Sequence, residues 1–178
     1  MGRLNYAAYV IPLSRHFLGR LRQRLHFVRN NRQQVTLNAQ EVADLVLWTH
    51  FLSKARAGIS MNLLTLRRPS QVGILDSCPF GMGGFTWTGR AWRLRIPPSS
   101  VIYGVSKANN VLEFLAMAIT LWLIILDCAA QDLTNECILG LGDNTSAISW
   151  IFRSACLPPE SAYYAPVQFL ARKVARLI

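Results

Sequence analysis

Three carboxylates stand out by where they sit. Asp76 ends the apolar run Val72-Gly-Ile-Leu, and Asp143 ends the similar run Ile138-Leu-Gly-Leu-Gly. Glu113 lies near the start of a long apolar stretch, 37 residues after Asp76 and 30 before Asp143. Carboxylates gathered in one place repel each other unless a hard cation lies between them. Mg²⁺ prefers such oxygen ligands and keeps several waters. Two such ions about 4 Å apart activate a water and stabilise a leaving oxygen, which is the chemistry of phosphodiester cleavage. Each acid also has a plainer reading. Asp76 could form an Asx-turn before Ser77-Cys78-Pro79. Glu113 could close a capping box with Asn110, and Asp143 could cap a following helix.

Glu113, Thr120 and Asp127 are seven apart, so on a helix they form a thin polar stripe. A carboxylate on so apolar a helix needs a partner, because burying a lone charge is costly. A cation shared by Asp76, Glu113 and Asp143 would supply one.

The elements that would position these acids follow from patterning. Gln71–Leu75 reads as a short strand, Gly81–Gly89 as hairpin strands and Ala91–Ile96 as a strand closed by Pro97 and Pro98. Asn110–Leu126 is a strong helix, Cys137–Gly142 a fourth strand, Thr145–Arg153 a short helix and Ala165–Ile178 a last helix. Pro158 and Pro159, in the Leu157–Glu160 segment, break the chain between these last two. The expected fold is therefore α/β, a mixed sheet with helices packed on it. With the first and fourth strands adjacent, Asp76 and Asp143 meet at one edge, and a crossing helix brings Glu113 alongside.

The first third differs in texture. Residues 1–70 carry eleven basic residues against Glu41 and Asp44, whereas residues 71–178 carry eight against seven. Residues 7–32 read as a basic helical stretch. Phe17, Leu18, Leu21, Leu25 and Val28 recur at helical spacing, and Arg15, Arg20, Arg22, Arg24 and Arg29 fill other positions. Asn38 and Glu41 form a capping box for a second helix that carries Val42, Leu45, Val46, Trp48 and Leu52 and stops at Gly58. Residues 1–58 thus read as a basic helical hairpin. Sixteen of the nineteen basic residues are Arg, which favours bidentate phosphate contacts. A net charge of +10 points to a polyanion partner. A solvated basic face, or a peripheral membrane or protein-interaction module built on residues 15–32, is the other use of this charge.

Composition excludes several classes. An apolar fraction of 52% with 16% charged residues excludes general disorder. Four cysteines, Cys78, Cys128, Cys137 and Cys156, are too sparse for a disulfide scaffold and lack zinc-ligand spacing. They read as reduced residues of an intracellular protein, cytoplasmic or nuclear. The apolar run Phe114–Leu126 spans thirteen residues, fewer than the roughly 18 of a membrane span, so no transmembrane segment is expected. Gly81-Met-Gly-Gly84 lacks the Lys-Ser/Thr ending of a phosphate loop, and no small-molecule cofactor is expected. Trp87 and Trp92 read as sheet-packing residues, with base stacking as the alternative.

Three segments together resemble a known family. They are Leu75-Asp-Ser77 with Gly81-Met-Gly-Gly84, Asn109-Asn-Val-Leu-Glu113-Phe-Leu-Ala116, and Gly142-Asp-Asn-Thr-Ser-Ala147. They resemble the ribonuclease H-like domain of retrotransposon reverse-transcriptase polyproteins, with a DIRS-like flavour, over about residues 70–155. Residues 1–66 look like the connection region that precedes that domain. The resemblance implies residues 67–178 as a ribonuclease H-like domain with a mixed five-stranded sheet. It also implies two Mg²⁺ ions (Mn²⁺ in their place at need) held by Asp76, Glu113 and Asp143, and cleavage of the RNA strand of an RNA–DNA hybrid. Ser77 and Asn144 would support the site or touch the substrate, and Arg15, Arg20, Arg22 and Arg24 would bind nucleic acid. The family's fourth acid, which follows a His-containing segment, has no counterpart. His16, His26 and His50 all precede the domain, and Glu160 is the only later acid. A C-terminally truncated fragment of a longer polyprotein is therefore expected, either an active nuclease or a catalytically inactive nucleic-acid-binding relic that keeps the fold.

Overall fold

A computed structural model of the chain describes residues 2–11, 14–28, 30, 32–59, 67–134, 136–152 and 161–177. Arg29, Arg153, Cys156 and the Leu157–Glu160 segment, each read above from sequence, lie outside the described residues. The chain divides into two compact units, Met1–Met61 with Ile151–Ala155, and Asn62–Trp150 with Cys156–Ile178.

The first unit is helical, but the continuous helix expected over 7–32 is not formed. Helix α1 covers Gly2–Val10, a 3-10 turn covers Ser14–Leu18, and α2 covers Gly19–His26. Helix α3, Ala39–Ala57, begins as expected. The Asn38 side chain accepts from the Glu41 N–H, and the Glu41 carboxylate accepts from the Asn38 N–H. It ends at Gly58, whose φ of 132° suits only glycine. Of the apolar residues read on it, Trp48 is buried. Glu41, Asp44, Leu47, Trp48 and Phe51 are buried, whereas Val42, Val46 and Leu52 are exposed. Phe17, Trp48 and Phe51 form the aromatic centre of this unit, with Trp48 edge-on to Phe51 at 5.9 Å.

The second unit is built on a four-stranded mixed sheet. Strands β1 (Gln71–Cys78), β2 (Gly81–Thr86), β3 (Ala91–Arg95) and β4 (Ile138–Leu141) lie in the order β3-β2-β1-β4. The two hairpin pairings are antiparallel and β1–β4 is parallel. The α/β class with a mixed sheet is as expected, and the first and fourth strands are adjacent, the arrangement on which the meeting of Asp76 and Asp143 depended. Four strands are formed among the described residues, where the resemblance implied five. Helix α4 (Asn109–Ala130) makes the crossover and packs on β1 and β2. Helix α5 (Thr145–Phe152) follows β4, and α6 (Tyr164–Leu177) packs on α4.

The helix α4 with the turn before it, Ser106–Ala130, is longer and more apolar than the thirteen-residue run suggested, and has the length and composition of a membrane span. Leu112, Phe114, Ala116, Ile124 and Cys128 on it are buried, together with Glu113 and Thr120, whereas Trp122 and Leu126 are exposed and 39% of the apolar window is buried. Leu75, Met82, Ile96, Leu112 and Ala116 form the centre of the packing. Trp92 packs against this cluster and its Nε1–H donates to Thr120 Oγ1 at 3.1 Å. Trp87, by contrast, is 81% exposed and does not pack the sheet.

Two glycines let α4 approach the sheet. A Cβ on Gly73 would lie 2.5 Å from Thr120 Cγ2; one on Gly84 would lie 3.0 Å from Thr120 Oγ1 and 2.7 Å from the Ile74 carbonyl oxygen of β1. The last contact is with backbone and has little room to give. Gly84→Ala is therefore expected to destabilise the protein by about 1–3 kcal/mol through overpacking, measured by urea unfolding. An unchanged midpoint would contradict so close an approach of Ile74, Trp92 and Thr120 to Gly84.

Candidate metal centre

The topology gathers the three acids at the carboxyl end of the parallel pair. Asp76 lies within β1, opposite Gly83 of β2, and Asp143 follows the end of β4. Glu113 is in the first turns of α4, the helix that crosses these strands. One carboxylate oxygen from each of Asp76, Glu113 and Asp143 lies within 4.8 Å of the others. Asp76 and Asp143 are exposed, whereas Glu113 is 1% exposed.

The plainer readings of these acids do not describe what is found. Asp76 lies in a strand, and its Oδ1 accepts from the adjacent Ser77 N–H at 2.7 Å. Glu113 makes no cap with Asn110. Its Oε1 accepts from both the Ser77 N–H and the Ser77 hydroxyl, each at 2.8 Å. Asn144, not Asp143, caps α5, its Oδ1 accepting from the Ala147 N–H at 3.0 Å. Asp143 is thereby left to face the cluster.

Ser77 therefore positions Glu113 from β1. Its hydroxyl also lies 3.2 Å from the Asn109 side-chain oxygen. Asn144 Nδ2 donates to Asn110 Oδ1 at 2.8 Å, which ties the start of α5 to the start of α4. Asn109 and Asn110 thus have positioning roles that the sequence reading did not assign. Their signal was available: they lie four and three residues before Glu113, on its face of the helix.

Glu113 Oε2 is buried and has no hydrogen-bond partner. A buried acceptor left unpaired is costly, more so on a charged group. Burial raises the Glu113 pKa above the ordinary carboxylate value, the Ser77 bonds oppose this, and the charges of Asp76 and Asp143 add to the rise. The donor set is all oxygen, two members face solvent and the third holds a free oxygen inward. That set fits a hard divalent cation.

A pH dependence follows. The metal-free folded state takes up a proton on Glu113 at higher pH than the unfolded chain does. Stability without metal is therefore expected to fall as pH rises from the ordinary Glu range through the raised value. Divalent-cation affinity is expected to rise over the same window, because the ligand must be deprotonated. Melting curves across that pH window, with and without Mg²⁺, check both signs. A metal-free protein that gains stability through this window would contradict the assignment.

The other polar stripe residues have their own partners. Thr120 accepts from Trp92, and Asp127 pairs with Arg90. The basic residues expected on nucleic acid sit in the first unit and have partners within it. Arg24 holds Glu41 in two bonds of 2.9 and 3.2 Å, and Arg20 lies 3.5 Å from Asp44. Arg22 donates to Asn5 Oδ1 at 2.6 Å, and the Arg15 guanidinium lies 5.3 Å from the Tyr9 ring centre. The two acids of residues 1–70 are thus committed to Arg20 and Arg24. The Arg24 bond holds the Glu41 carboxyl below its ordinary pKa, with the Asn38 N–H assisting. These two arginines hold the helical unit together, whereas Arg15 and Arg22 border an open cavity of about 340 Å³ with Asn5, Tyr6 and Tyr9.

No known protein family matches the chain, and no curated protein or solved structure matches it significantly.

Proposed function

We propose that this chain is a retroelement-derived, metal-dependent nuclease that hydrolyses the RNA strand of an RNA–DNA hybrid, with Asp76, Glu113 and Asp143 as ligands of Mg²⁺. The observation that carries the reading is Glu113, a buried carboxylate with an unpartnered oxygen, set within 4.8 Å of two exposed carboxylates. The order and spacing of the three acids, and their resemblance to ribonuclease H-like domains, support the choice of substrate.

When bound, Mg²⁺ would activate a water and neutralise charge on the phosphodiester. The chain's own residues prepare for this. Ser77 fixes one Glu113 oxygen from the strand, so that the other is held in one direction. Asn144 takes the helix-capping role and leaves Asp143 available as a ligand. Asn110 holds Asn144, which keeps the β4–α5 corner against the start of α4. The exposed Asp76 and Asp143 leave the approach from solvent open to an extended polyanion. Hybrid recognition would rest on contacts to phosphates and 2′-hydroxyls.

The test is cleavage of an end-labelled RNA–DNA hybrid with Mg²⁺ or Mn²⁺, beside the same reaction with chelator. Cleavage of the RNA strand only with metal is the expected result. The second reading, an inactive relic that binds nucleic acid, is favoured by one observation: among the described residues the cluster holds three acids. Hybrid binding without metal-dependent cleavage would decide for it.

A further inference from the structure

We infer that the β2–β3 surface beside the carboxylates is a docking trough for the sugar–phosphate backbone of the nucleic acid, with Arg93 and Arg95 as its phosphate contacts. This rests on the nuclease reading above and extends it to a surface that reading does not use. The cross-strand register carries the inference. Asp76 is opposite Gly83, and Gly83 is opposite Arg93, so the three form one row across the sheet. Cys78, Gly81 and Arg95 form the next row. Residues opposite each other in antiparallel strands share a face, as do positions two apart on one strand. Asp76, Arg93 and Arg95 therefore lie on the same side of the sheet.

The middle position of each row is glycine, so no side chain stands between the carboxylate end and the arginines. A cavity of about 590 Å³ opens beside the second row, bordered by Cys78, Gly81, Arg93 and Arg95 together with Phe80 and Met82. Arg93 and Arg95 are exposed, and neither has an ion pair or side-chain hydrogen bond among the described residues. This sets them apart from Arg20, Arg24 and Arg90, each of which is spent on an acid. Two strand spacings separate Asp76 from Arg93, about 10 Å. A backbone that passes the carboxylates can therefore continue over Arg93 within a few nucleotides. Two guanidiniums above a floor of glycine fit a strand backbone, to which arginine makes bidentate bonds.

The test compares the native chain with Arg93→Gln/Arg95→Gln and with a control, Arg3→Gln/Arg32→Gln, that removes the same charge from exposed positions in the first unit. Binding of a fluorescent RNA–DNA hybrid is followed by anisotropy over a range of salt, with chelator present so that no cleavage occurs. The trough variant is expected to bind several-fold more weakly, with its log–log salt slope reduced by about 2. Its melting temperature should be unchanged, and the control should change the slope less. A slope equal to native, a change matched by the control, or a native chain that binds no hybrid would each overturn the trough. Failure of the nuclease reading shows separately, as absence of metal-dependent cleavage while binding and its salt slope persist.

Discussion

Asp143→Asn is expected to abolish metal-dependent cleavage, with a loss of at least about 10²–10³-fold in rate. That is a loss of about 3–4 kcal/mol of transition-state stabilisation. Asp143 is exposed, and it does not cap the helix that follows it, because Asn144 does. The substitution keeps side-chain volume and removes one anionic ligand. Secondary structure should therefore stay as in the native chain, and the melting temperature without metal should not fall below it. The readout is single-turnover cleavage of a labelled hybrid in Mg²⁺. A variant that cleaves at the native rate would remove Asp143 from the site and attribute any cleavage to another source.

The second large effect concerns Glu113 and reads out without any substrate. Glu113→Gln keeps the acceptor that Ser77 uses and replaces the unpartnered oxygen with an amide that can donate to Asp76 or Asp143. It also removes a buried charge from between two others. The metal-free variant is expected to melt above the native chain, by about 2–4 °C for each 1 kcal/mol gained. The native chain is expected to gain about 2.7 kcal/mol, or about 5–10 °C, at a cation concentration a hundredfold above its Kd. The variant should lose most of that gain. The two shifts have opposite sign, which separates a ligand from a residue that merely packs. A variant less stable than native without metal, yet stabilised normally by Mg²⁺, would make Glu113 structural.

Much of the second unit is legible in the sequence because its signals are local. Alternation between turn residues marks β1 to β3, and the apolar length of α4 marks the crossover. Two hairpins and one helical crossover leave few ways to order four strands, but whether the fourth strand lies beside the first, bringing Asp76 and Asp143 together, depends on a long-range pairing that local signals do not fix. The Glu113–Thr120–Asp127 stripe announced buried polar groups, but not their partners. Those are Ser77, Trp92 and Arg90, from 28 to 37 residues away in sequence. The Asx-turn at Asp76 misread a strand that continues to Cys78.

In the first unit, local reading worked for the capping box of α3 and less well for its buried residues. Of the apolar residues read on it, Trp48 is buried and Val42, Val46 and Leu52 are exposed, and the buried face includes Glu41 and Asp44. Arg20 and Arg24 decide this, since an acid paired with arginine tolerates burial that a lone acid does not. The same pairing assigns Arg20 and Arg24 to holding the helical unit, while the net charge of residues 1–70, which already counts those acids, stays strongly positive. In the second unit the reverse holds: Arg93 and Arg95 lie in a near-neutral stretch, yet both are exposed and have no ion pair among the described residues.

Titration of the metal-free native chain with Mn²⁺, followed by the loss of the free-ion electron paramagnetic resonance signal, tests the carboxylate centre most directly. The expected result is saturable binding of one to two ions per chain that strengthens as pH rises and is lost in Asp143→Asn and Glu113→Gln. Binding that is absent, or that survives unchanged in both variants, would contradict a metal centre at Asp76, Glu113 and Asp143.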